Sequence, residues 1–92
     1  MNTMSDCEML LERFCQQFQC KAWVCEKVGR RMSYLHPLKA GEERYSEPLI
    51  LCENERFALF VQCDQIDEQM KDWGWKVLDC VRRYFDENSQ PS

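Results

Sequence analysis

Leu49-Ile50-Leu51-Cys52, followed by the polar Glu53-Asn54-Glu55-Arg56 and then Phe57-Ala58-Leu59-Phe60-Val61-Gln62-Cys63, is the stretch whose reading decides the fold. Two runs of strand-forming residues joined by a four-residue polar connection have the form of a β-hairpin, with Pro48 opening its first strand. Both strands are nearly apolar in both phases of the alternation at their centres. They are therefore expected mid-sheet, covered at least in part on each face.

Upstream, Lys21-Ala22-Trp23-Val24-Cys25-Glu26-Lys27-Val28 favours a strand, Gly29-Arg30 supplies a turn, and Met32-Ser33-Tyr34-Leu35-His36 returns as a second strand. Between the hairpins, Lys39 to Glu47 has charges at 42 to 44 and 47 and no apolar period, so it is expected as the long exposed loop. Helices flank the four strands. Ser5-Asp6-Cys7-Glu8 has the form of a capping box, and Cys7, Leu10, Leu11, Phe14 and Phe18 recur at helical steps, which predicts a helix from residue 6 to about 18. Asp64 and Asp67 are candidate starts for a second helix running to about Glu87 without a proline. The expected architecture is α+β, a single domain in the order α-β-β-β-β-α, with an antiparallel four-stranded sheet packed by N- and C-terminal helices and an ordered core over about residues 5–88.

The chain of 92 residues and 11.1 kDa holds one core at most, with an expected radius of gyration of roughly 12 Å. Its net charge of −4 argues against a dedicated nucleic-acid binder, which needs a basic surface to displace counterions from phosphates. The charge is uneven: residues 21–40 carry +4 and residues 41–64 carry −4. The two hairpins are thus expected to pair through opposite charge. Lys27, Arg30 and Arg31 form the one basic patch, for which an acidic protein surface or the neighbouring acidic hairpin is the preferred partner.

Seven cysteines, at 7, 15, 20, 25, 52, 63 and 80, are odd in number, and no secretory leader is read at Met1 to Asp6, so the chain is expected to be cytoplasmic with reduced thiols. Cys15, Cys20 and Cys25 stand five apart, outside the spacings of structural zinc sites. Cys7, Cys52, Cys63 and Cys80 sit at apolar patterned positions as small hydrophobes, and Cys20, beside Lys21, is the candidate reactive thiol. His36, the single histidine, ends a strand before Pro37, and the acidic doublets Glu42-Glu43, Asp67-Glu68 and Asp86-Glu87 read as solvated charges. No glycine-rich phosphate loop, nucleophile elbow or histidine pair is present, so neither an enzyme nor a cofactor is expected. No apolar run is long enough for a membrane span.

On the second helix, Ile66, Met70, Trp73, Val77, Cys80, Val81 and Tyr84 form the stripe expected on the sheet. Trp75, Leu78, Arg82 and Phe85 form a second line with the spacing of a helix seam, whose covering is either a partner or the first helix of the same chain. The leading expectation is a small non-catalytic interaction module, an adaptor, chaperone or inhibitor, binding a protein or a second copy of itself through this line. The alternatives are a sensory domain with Trp23, Tyr34, Phe57 and Phe60 around a ligand pocket under one helix, and a cysteine-based metal or redox site. The order of elements is similar to that of minimal PAS-like or GAF-like sensory domains and of small secretion chaperones. That likeness implies an antiparallel sheet flanked by helices and assigns no residue a role.

Overall fold

The computed structural model describes residues 3–43 and 45–88, so both chain ends on which the targeting reading rests lie partly outside the described residues. The elements are α1 (Met4–Phe18), β1 (Lys21–Val28), β2 (Arg31–Ala40), β3 (Leu49–Glu53), β4 (Phe57–Gln62) and α2 (Glu68–Asn88). The strands make one antiparallel sheet in the order β2-β1-β4-β3. This is the α-β-β-β-β-α architecture that the sequence predicts. The radius of gyration is 12.7 Å. No described helix is long and apolar enough to cross a membrane.

α1 begins two residues earlier than predicted. Thr3, not Ser5, caps it: its Oγ1 accepts from the Asp6 amide at 3.1 Å, while the Asp6 carboxylate accepts from the Thr3 amide at 3.0 Å. Both pairs have the capping-box spacing, and an upstream cap adds half a turn without disturbing the apolar stripe. The helix ends at Gln19, in the left-handed region at φ 51°, with the Cys20 amide bonded to the Cys15 carbonyl. Asp67 caps α2, its carboxylate accepting from the Met70 amide at 2.9 Å. Ile66 therefore precedes the helix and is exposed, outside the packed stripe to which the periodicity assigned it.

β1 and β4 are central, and β3 is an edge strand rather than a mid-sheet one. A register irregularity between Ile50 and Cys52 turns both Leu51 and Cys52 toward α2, where they stand close to Gly74 together with Leu59. That bulge explains how a short edge strand can look apolar in both phases. β2 continues four residues past His36, through the cis His36–Pro37 peptide, which shortens the expected loop. An edge strand tolerates Pro because its outward amide has no ladder partner to lose.

Both helices pack on one face of the sheet and against each other, α1 over β1 and β2, α2 over β3 and β4. The core between the layers joins Cys7, Leu11 and Phe14 of α1 to Val24, Leu38, Leu59 and Val61 of the sheet and to Val77, Leu78 and Val81 of α2. Cys7 Sγ lies 3.2 Å from Cys80 Sγ where the two helices meet. The predicted attraction between hairpins is present as Lys27–Glu53 at 2.9 Å, and a second pair of reversed sense, Arg56–Glu26 at 3.1 Å, also joins them.

Candidate functional site

The line of residues predicted on α2 is split by the packing. Leu78 is wholly buried in the core, and Phe85 is half-buried against Phe57 at 5.4 Å between ring centres, with the Arg56 guanidinium over both rings. Trp75 remains 48% exposed. Arg82 is exposed and holds Asp79 at 3.0 Å, and these two residues line, with Trp75 and Asn54, a shallow hollow of about 210 Å³. Two helices side by side on one sheet face cover more of α2 than a single core stripe, so Leu78 joins the interior. The basic patch also divides. Lys27 is engaged by Glu53 and by the Asn54 carbonyl, whereas Arg30 and Arg31 stand exposed at the β1–β2 turn.

The surface that emerges is the other face of the sheet. Alternation sends Ala22, Val24, Phe57, Leu59 and Val61 to the helices, and it sends Trp23, Cys25, Ala58 and Phe60 the opposite way. Across the ladder, Lys39, Trp23, Phe60 and Ile50 form one row, and Tyr34, Cys25, Ala58 and Glu53 form the next. Trp23 and Phe60 stack with parallel rings 5.8 Å apart. Met32, Tyr34 and Ile50 are each 43% exposed, and neither helix reaches this face. A depression of about 260 Å³ between Lys21, Trp23, Tyr34 and Lys39 opens onto it. Ion pairs bound the apolar centre at both ends: Lys21 with Glu43, whose carboxyl the ammonium holds below its usual range, and Lys27 with Glu53.

Trp23, Tyr34 and Phe60 thus lie together as the sensory reading requires. Phe57, its fourth member, is wholly buried on the helix side, and no helix roofs the other three. The pocket under a helix is absent from the described residues; in its place is an open sheet face. The signal for this face was in the sequence, as the apolar character of β1 and β4 in both phases.

The cysteines pack mostly as predicted. Burial raises the Cys52 thiol to about 12, and burial together with the bond to Cys80 raises Cys7 to about 12. Cys20 is almost wholly buried and hydrogen-bonded to Cys15, whose thiol is pushed up chiefly by that bond and then by burial. A low thiol pKa of the kind that makes cysteine a nucleophile is thus not favoured at Cys15. The hollow of about 570 Å³ between the end of α1 and Gly41 is lined by Cys15 and Cys20 themselves together with Glu12, Gln16, Gln19 and Glu42. Among the described residues no group of three or more His, Cys, Asp or Glu side chains is arranged to hold a metal ion. His36 is exposed on the β2 edge, 6.2 Å from the Tyr34 ring.

Comparison of the chain with models of known protein families, with curated proteins and with solved structures found no match.

Proposed function

We propose that the chain is a small non-catalytic protein-interaction module of the cytoplasm, an adaptor-like or chaperone-like protein, and that its contact surface is the open sheet face rather than α2. One observation carries this reading. β1 and β4 are built to be covered twice, with Ala22, Val24, Leu59 and Val61 for the helices and Trp23, Cys25, Ala58 and Phe60 for a second layer, yet both helices lie on the first side. Sheets with such two-sided apolar strands ordinarily carry a layer on each face. A contiguous apolar patch framed by charged residues on a soluble chain is the usual mark of a protein contact, and Trp and Tyr are the types that supply most binding energy there. The sensory alternative has less support, because a shallow depression of about 260 Å³ is smaller than most ligand pockets and is open along one side.

The test is photo-crosslinking in the cells that make the protein, with benzoylphenylalanine placed in turn at Tyr34, Ile50 and Trp75. Adducts with protein from positions 34 and 50 and none from 75 are expected. Adducts from position 75 alone would move the contact back to α2 and overturn the assignment.

A further inference from the structure

We infer that the layer missing from the open face is a second copy of this chain, packed sheet to sheet about a two-fold axis; this rests on the interaction reading above and names its partner. The charges on the face argue for it. Lys21 and Glu43 offset each other at one end and Lys27 and Glu53 at the other, which leaves Lys39 as the one charge of the face outside these pairs and no strong field to select a highly acidic or basic partner. A surface that is apolar at its centre and internally balanced at its ends is matched by another of the same kind.

The remaining charge is placed for self-pairing. Lys39 makes no ion pair among the described residues, although its charge bears on the Glu43 carboxylate, and stands at the β2 end of the Trp23–Phe60 row; Glu53, half-exposed and already holding Lys27 at 2.9 Å on one side, stands at the β3 end of the adjacent row. They stand on opposite edges of the face, one row apart. A two-fold axis lying between the sheets and oblique to the strands sets each Lys39 over the partner's Glu53 and stacks the two Trp23–Phe60 pairs against each other. Contacts of this isologous kind close at two subunits.

The area is adequate. Four strands at about 4.8 Å spacing and seven residues at about 3.3 Å rise give a face of roughly 19 by 23 Å, on the order of 400 Å² in plan. Corrugation by the aromatic rings brings the surface removed to about 1,000–1,200 Å² for the pair, at the lower edge of specific interfaces. A dimer in the micromolar range of dissociation constants is expected from a contact of this size.

The experiment is sedimentation velocity of the purified full chain under reducing conditions, from 1 to 300 µM by loading. A concentration-dependent species of twice the 11.1 kDa chain mass is expected. Ile50→Glu and Tyr34→Glu, both at exposed positions, are each expected to weaken it at least 30-fold while leaving the circular dichroism and urea midpoint unchanged. The charge exchange separates this geometry from any other dimer: Lys39→Glu and Glu53→Lys each weaken association about 5-fold or more, and the double variant restores it. A chain that is monomeric throughout the range, or a dimer indifferent to positions 34 and 50, overturns the inference. In the first case, adducts to other proteins from positions 34 and 50 in cells would leave the interaction reading standing; absence of any adduct would remove both. Failure of the double exchange to restore association overturns the proposed two-fold.

Discussion

Raising the pH from 7.5 to 9.5 under reducing conditions is expected to strip a large part of the protein's stability, because the core is lined with thiols that must stay neutral. Burial, joined at Cys7 by the bond to Cys80, raises both Cys7 and Cys52 to about 12, whereas an unfolded thiol titrates near 8.5. The folded pKa is raised and the acid is uncharged when protonated, so the native state retains its proton where the unfolded state has lost it. The stabilisation is complete below about pH 8.5 and declines as pH rises toward 12. One pH unit above the unfolded pKa, each thiol costs between about 1 and 2 kcal/mol, or about 3 kcal/mol for the two together. Cys15, raised by its bond with Cys20 and by burial, acts in the same direction. A chain of this length has roughly 5 to 14 kcal/mol in all. Urea unfolding followed by far-ultraviolet circular dichroism at half-unit pH steps reads the slope directly. Cys52→Ala supplies the control: it is less stable at neutral pH, but loses less on going to 9.5. A free energy of unfolding that stays level between pH 7.5 and 9.5 would show instead that these thiols reach water in the folded chain.

Two further comparisons separate residues that a sequence treats alike. Gly41 and Gly29 both have positive φ, at 93° and 62°, but a Cβ on Gly41 would lie 2.2 Å from the Cys20 carbonyl oxygen and 2.8 Å from the Lys21 Cα, whereas one on Gly29 meets nothing within 4 Å. Gly29→Ala is expected to cost about 1 to 2 kcal/mol from backbone strain alone, and Gly41→Ala at least about twice that, read from urea midpoints. Leu78→Ala is expected to lose about 2 to 5 kcal/mol as a fully buried truncation, against less than about 0.5 kcal/mol for Trp75→Ala. Equal costs at 75 and 78 would restore the idea of a single exposed line on α2.

The order of elements was legible because its punctuation is local: Gly29-Arg30, Pro48, the polar 53–56 connection and Asp67 each act within a few residues. Strand order was not. Leu49 to Cys52 looks like a central strand because a bulge turns adjacent residues to one side, and a bulge leaves no mark in composition. The burial of Leu78 depends on where α1 settles, which is a matter of tertiary packing and not of helical period. The open face was half legible. Trp23, Tyr34 and Phe60 were grouped correctly, and Phe57 was misplaced with them because pairing register, not proximity in sequence, decides which side of the sheet a ring occupies.

The claim that a protein layer covers the open face is tested most directly by hydroxyl-radical footprinting of two methionines. Met32 lies on that face at 43% exposure and Met9 on the outer side of α1 at 52%, so the isolated chain at sub-micromolar concentration should oxidise both at similar rates. In intact cells Met32 is expected to be protected several-fold while Met9 is not. Equal oxidation of the two in cells would contradict the covering of that face.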